Sequence, residues 1–248
     1  MFPAHGRISC SLCFPSPGKT VSTRSWQFRN DPTHFGSANP KVLVLGFSKG
    51  PTQVKAYDNG PFEEVAFAGS RERLKKILLT LGLLHEDENI DLKFREEEEE
   101  FAFASLIRCS VARIDEKTLK VVAGSPMILK AFQEPEPKRL ITNCAKQFLV
   151  LLPERLRLIV MLGVQDGYIS ECRKLMNELH QGQIKSINPV AYANSQVVFV
   201  HATHPSRQNG WIDKWISCPA ATSPLGQKRE LAKEAVSRIP GLFRGMTS

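Results

Sequence analysis

The sequence predicts an α/β fold, a three-layer sandwich around a central four-stranded parallel sheet. Short apolar runs alternate with amphipathic helical stretches along the chain, and such alternation implies right-handed crossovers that pack helices on both faces of a sheet. The runs are continuously apolar, as in strands buried on both sides. They end in glycine or polar residues, which places polar groups at the carboxyl edge, where open α/β sheets keep their sites.

The first run is Val42–Leu45, ended by Gly46. Phe47–Gly69 reads as a long loop, and loops of that length in compact domains are usually functional or disordered. Ser70 can cap a helix whose apolar face is Leu74, Ile77, Leu78 and Leu81, with Gly82 ending it. Glu96–Glu100 reads as a solvated acidic turn, and Phe101–Ile107 as the second strand. Residues 110–135 read as an irregular insertion. Lys138–Leu152 is a helix with Leu140, Cys144 and Phe148 on one stripe; Leu156–Leu162 is the third strand, closed by Gly163. A helix over Gln165–Gln181, a fourth strand at Val197–Val200 and a closing helix within Pro224–Arg238 complete the pattern. Residues 1–40, rich in Ser, Pro, Gly and Arg, read as an irregular arm ahead of a domain over 41–240.

A chain of 248 residues suits one such domain with an extension. No apolar run approaches the roughly 18–20 residues of a membrane helix, so no membrane partner is expected. No secretory signal is visible, and an intracellular site, cytoplasmic or nucleoid-associated, is expected. The six cysteines, Cys10, Cys13, Cys109, Cys144, Cys172 and Cys218, are then expected as thiols or metal ligands rather than disulfides. The excess of 33 Lys and Arg over 25 Asp and Glu gives a formal charge of +8 and favours a polyanionic partner.

The most informative stretch is Val197–Trp211, an apolar strand running into His201, His204, Pro205, Ser206, Arg207 and Gln208. Four pieces stand in a telling order: VLVLGFSKGP, PFEEVAFAGSRERL, LIRC with the later NCAKQFLVLLPERLRLIVMLG, and HATHPS. Together they resemble the uracil-DNA glycosylase superfamily, most closely its iron–sulfur, thermophile-type branch, over roughly residues 8–237. The resemblance implies a uracil-DNA glycosylase-like sheet and a monofunctional enzyme of DNA base-excision repair. It would act as a monomer on DNA carrying uracil or another deaminated base.

The resemblance also implies site roles. Gly46, Phe47, Ser48, Lys49 and Gly50 occupy the place of the first motif, a Gly-acid-small-Pro-Gly loop. Phe67 matches the aromatic that stacks on the flipped base, and Ser105 stands where the family commonly has an Asn that reads the base edge. His204, Pro205 and Ser206 match the motif that touches phosphate and the scissile sugar. Cys10, Cys13, Cys109 and Cys144 match the ligands of a 4Fe-4S cluster, with zinc the alternative for such a thiolate set.

Flipping a base costs a few kcal/mol, which stacking on Phe67 would return. His204 is placed to donate to the base carbonyl or to hold the sugar phosphate, while His201 reads more as a strand-end packing residue. Asp58 is the best candidate to activate water, Glu63 and Glu64 are alternatives, and Ser48 can position the water. Ser206, Arg207, Gln208 and Lys49 would bind DNA phosphates; Gln208 or Trp211 could wedge into the vacated stack, although core packing is the stronger reading of Trp211. Phe47 replaces the expected acid and Ser105 the expected Asn. These departures set a second expectation beside the enzyme: a weakly active or inactive member that binds DNA or a modified base.

Overall fold

The computed structural model describes residues 1–115, 117, 118, 120–122 and 125–242. In chain order its elements are β1 (Gly6–Arg7), β2 (Thr20–Ser22), β3 (Trp26–Arg29), β4 (Thr33–Gly36), β5 (Val42–Gly46), α1 (Pro51–Asn59), α2 (Arg71–Thr80), β6 (Phe101–Ser105), β7 (Ser110–Ile114) and β8 (Val121–Val122). There follow α3 (Ser125–Gln133), α4 (Pro135–Leu149), β9 (Leu158–Leu162), α5 (Asp166–Leu179), β10 (Lys185–Asn188), β11 (Ala191–Ala193), β12 (Val198–Ala202), α6 (Ile212–Ser217) and α7 (Pro224–Ser237).

The fold is α/β, and the expected four-stranded sheet is corrected to an eight-stranded mixed sheet ordered β1-β4-β6-β5-β9-β12-β11-β10. The apolar runs read from the sequence are β5, β6, β9 and β12. These pair in parallel at the centre, Val44 opposite Phe103 and Val160, and Val200 opposite Val160. Antiparallel strands extend both flanks, β4 and β1 on one side and β11 and β10 on the other. A second, four-stranded sheet has the order β2-β3-β7-β8.

Strand side chains point alternately to opposite faces, and this period divides the centre into two cores. Val42, Val44, Phe101, Phe103, Leu158, Val160 and Val200 pack with α2, α6 and α7. Leu43, Leu45, Ala102, Ile159, Met161 and Phe199 pack with α3, α4 and α5, together with Trp26 and Phe28 of the second sheet. Helices therefore cover the sheet on both faces, as the continuous apolar runs require.

Residues 1–40 are not an irregular arm. They supply β1 to β4, and β4 pairs with β6 while β3 pairs with β7. The stretch expected as a loop over Phe47–Gly69 holds α1, with proline at its first turn, and a short 3-10 turn at Phe62–Glu64. The insertion over 110–135 forms β7, β8 and α3, apart from positions 116, 119, 123 and 124, which lie outside the described residues. The acidic run is partly paired: Glu100 bridges Lys41 at 2.9 Å and Arg155 at 2.7 Å.

Gly163 ends β9 at the carboxyl edge with φ +153, and a Cβ there would stand 2.5 Å from Cδ1 of Tyr168. The tyrosine ring is buried and packed against Phe47, Phe132 and His201. Replacing Gly163 by Ala is therefore expected to cost about 2 kcal/mol from crowding and backbone strain, read as a lowered urea midpoint with an unchanged m-value.

Candidate functional site

The carboxyl ends of β5, β6, β9 and β12 open into a hollow of about 1330 Å³, wider than the roughly 300–1,000 Å³ of common small-molecule sites. Four loops meet there: the one after β5, the turn ahead of α2, the residues after β9 and the loop after β12. The second sheet supplies a further wall through Gln27, Arg29, Val111 and Ala112. Gly46, Phe47, Ser48, Lys49 and Asp58 border this space; so do Phe67 and Ser105, and so do His204, Ser206, Arg207 and Gln208. Apart from the cysteines, Glu63, Glu64 and His201, the residues singled out in the sequence thus share one hollow.

Phe47 is buried, its ring 6.0 Å from Phe132 and 6.4 Å from Tyr168. It forms an apolar wall where a carboxylate would need solvent or a partner. Phe67 sits at φ +51, unusual for a bulky side chain. Its ring is held between Phe94 at 6.1 Å and Phe103 at 6.2 Å. Ser105, the last residue of β6, is half-buried at the hollow's floor.

The loop after β12 is tied down on three sides. Arg73 donates to the Ser206 carbonyl at 2.9 Å, Arg207 Nε donates to the Gly69 carbonyl at 3.1 Å, and Asn209 Nδ2 donates to Thr203 Oγ1 at 3.0 Å and to the His204 carbonyl at 2.6 Å. Arg73 and Asn209 lie in the stretches PFEEVAFAGSRERL and Val197–Trp211, but residue type and spacing do not reveal that each acts through a hydrogen bond to a loop carbonyl. His204 Nδ1 accepts the Ser206 backbone N–H at 3.1 Å, which fixes the neutral ring with its proton on Nε2. Burial pushes His204 down to about 4, so the imidazole is neutral at physiological pH and offers Nε2–H as a donor. Arg207 and Gln208 are exposed on the rim. Trp211 is also exposed there, at 43%, rather than packed in the core as the sequence reading favoured. His201 is a packing residue: it is buried, with Nδ1 2.9 Å from the Gly163 carbonyl and Nε2 3.2 Å from the Tyr192 hydroxyl.

Two roles are corrected. Asp58 has both carboxylate oxygens taken by Arg29, at 2.8 and 2.5 Å, and those hydrogen bonds hold it below the usual carboxylate range. It is a clasp between α1 and β3, not a free base. Glu63 and Glu64 lie outside the hollow's lining. Lys49 is buried and cannot reach a phosphate; its ammonium donates to the Arg108 carbonyl at 2.5 Å and faces Asp31 at 3.4 Å.

The four cysteines lie apart from the hollow, but they are brought into one neighbourhood. Burial raises Cys144 to about 11, and the sulfurs of Cys13 and Cys10 add to the rise; burial raises Cys109 to about 12, with Cys144 adding to it. Cys109 and Cys144 are buried, and Cys10 and Cys13 are half-exposed. Asn143, next to Cys144 in α4, donates to Cys13 Sγ at 3.3 Å, and Asn30, which accepts from Cys109 Sγ at 3.7 Å, donates to the Cys10 carbonyl at 3.1 Å, so the two asparagines bring the N-terminal pair beside the other two cysteines. Among the described residues, no three His, Cys, Asp or Glu side chains stand at metal-holding spacing. One adjoining group fits an anionic occupant: Nη2 of Arg108 is buried with no hydrogen-bond partner among the described residues. Among the described residues no helix is long and apolar enough to cross a membrane.

Fold and site together define an α/β protein with a polar-rimmed, aromatic-floored hollow at the carboxyl edge of a mixed sheet. No family model and no curated protein matches the chain.

The buried neutral histidines set a pH dependence. Burial lowers His201 to about 4 and His34 to about 3, whereas the unfolded chain protonates near 6.5. The unfolded state therefore binds more protons below that value, and stability is complete above it and falls as pH drops toward 4. The thermal midpoint is expected to decline between pH 6.5 and 4.5, and His201→Gln to flatten that decline.

Proposed function

We propose that the protein is a DNA glycosylase that hydrolyses the N-glycosidic bond of uracil or another deaminated base flipped out of DNA. The observation that carries the reading is that Phe67 and His204, far apart in sequence, border one hollow at the ends of the central strands. The uracil-DNA glycosylase-like arrangement of those strands belongs to the same proposal. Its support is their order in the sheet, second, first, third and fourth by chain position, with the hollow beside the switch between β5 and β9.

In this reading the extruded base enters between Phe47 and Phe67. Stacking on Phe67 returns about 1–3 kcal/mol of the unstacking cost, and its positive φ is the kind of local strain found at binding sites. Bond cleavage leaves negative charge on the base and positive charge on the sugar. Nε2–H of His204 donates to the base carbonyl as the charge develops; a neutral donor aimed at a nascent oxyanion stabilises it without a proton changing owner. Ser105 meets the base edge, and Ser48 positions the water. Arg207, Ser206 and Gln208 take phosphates on the rim, and Trp211 is the side chain placed to fill the vacated stack.

Cys10, Cys13, Cys109 and Cys144 would hold an iron–sulfur cluster, with zinc the alternative. The group would be structural, tying the segment before β2 to β7 and α4. The buried Nη2 of Arg108, without a hydrogen-bond partner among the described residues, supports an anionic group there.

A second reading is favoured by one observation. The only carboxylate bordering the hollow among the described residues is Asp58, and Arg29 occupies it. A protein that binds a flipped or modified base without cutting would need no base there.

Uracil-, hypoxanthine- and xanthine-containing oligonucleotides, incubated with the protein and then treated with alkali, separate the readings. Strand scission on at least one is expected, and binding without scission on all three would establish the second. His204→Ala is expected to reduce cleavage by about 100–1,000-fold, as loss of an oxyanion donor does. Arg207→Ala is expected to weaken binding to all sequences alike and to lower the salt slope by about one.

A further inference from the structure

Arg108 precedes Cys109 and is 2% exposed. Its Nη1 lies 3.1 Å from Nδ1 of His34, whose Nε2 faces the Ser37 carbonyl at 2.9 Å. That carbonyl only accepts, so Nε2 carries the proton and His34 is a neutral acceptor for Arg108. The guanidinium lies over the Phe148 ring at 4.9 Å, and its buried Nη2 has no hydrogen-bond partner among the described residues. Among the described residues no Asp or Glu forms an ion pair with it. The neighbouring carboxylate, Asp31, is already engaged: Ser110 donates to it through N at 2.7 Å and Oγ at 2.5 Å, and Lys49 stands 3.4 Å away.

Among the described residues the interior therefore holds the charges of Lys49 and Arg108 against that of Asp31 alone. An uncompensated buried cation costs several kcal/mol, and a guanidinium does not escape by losing its proton. Neutral thiols supply no compensation. Four thiolates around zinc or an oxidised 4Fe-4S cluster supply a net negative group. Cys144 lies one turn before Phe148 on α4, on the same side as the ring that the guanidinium covers.

We infer that Arg108 is the fixed counter-cation of a metal–thiolate group on Cys10, Cys13, Cys109 and Cys144 and sets how firmly the sulfurs hold the metal. This rests on the cysteine reading proposed above. It assigns Arg108 a positioning and charge-balancing role that its place inside a motif did not suggest.

The test uses the full chain, reconstituted anaerobically with iron and sulfide or, separately, with zinc. Arg108→Met removes the charge at similar bulk, Arg108→Lys keeps it, and Phe148→Leu loosens the packing around it without altering charge. Metal per chain, the rate of release to a chelator and the pH of half-release are measured, with the cluster's midpoint potential where iron binds. Arg108→Met is expected to release metal at least tenfold faster, to shift half-release to higher pH and, with a cluster, to lower the potential. Arg108→Lys and Phe148→Leu are expected to stay near the parent on pH and potential. Equal retention, pH and potential in Arg108→Met and the parent would overturn the counter-cation role while leaving the cysteine site standing. A parent chain that holds neither iron nor zinc would overturn both.

Discussion

The constraint on which the structure depends is that the four central strands are buried on both faces. Their side chains alternate between two separate hydrophobic cores, so no polar functional group can sit along them without an unpaired burial cost. The one internal exception, His201, is satisfied at both ring nitrogens and is held neutral. Chemistry is therefore confined to the strand ends. Gly46, Ser105 and Gly163 mark where the apolar register stops, and the hollow begins at those residues.

That constraint also explains what could be read from the sequence. Buried parallel strands are written as unbroken apolar runs, and β5, β6, β9 and β12 were visible to within two residues at their ends. The flanking strands carry no such mark. Lys185–Asn188 is largely exposed, Gly6–Arg7 is two residues long, and both owe their strand character to a neighbour's hydrogen bonds. The second sheet was hidden for the same reason: Thr20–Ser22 is exposed throughout, and β3 and β7 are brought together from opposite sides of β5 and β6 in the chain. Helix α1 buries none of its residues, so it has no apolar stripe to announce it within what read as a loop.

The site was legible in its members and illegible in their states. A motif names residue types at a spacing; it does not say which partners a side chain will find. Lys49 lies in a glycine-bounded loop that suggests phosphate contact, yet it turns inward to Asp31 and the Arg108 carbonyl. Asp58 lies beside the hollow, yet Arg29, distant in sequence, takes both its oxygens. Trp211 errs the other way, a large aromatic that sequence statistics send inward and that the loop after β12 leaves on the rim. Each outcome turns on a long-range pairing between segments that no local pattern connects.

The same pairings join the two candidate centres. The Leu106 and Ile107 amides donate to the Gly46 and Phe47 carbonyls at 2.8 and 2.9 Å, and the Lys49 ammonium closes on the next carbonyl, that of Arg108. The segment from Ser105 to Cys109 is thereby zipped to the loop that floors the hollow, with Ser105 at the cavity at one end and the buried Cys109 against Asn30 at the other. Anything that fixes Cys109 also fixes the backbone that places Phe47 and Ser105. A group held by the four sulfurs would need no part in bond cleavage to matter to the hollow. By satisfying the buried guanidinium and pinning this segment from behind, it would hold the floor of the hollow rigid, and preorganisation of that kind reduces the cost of binding.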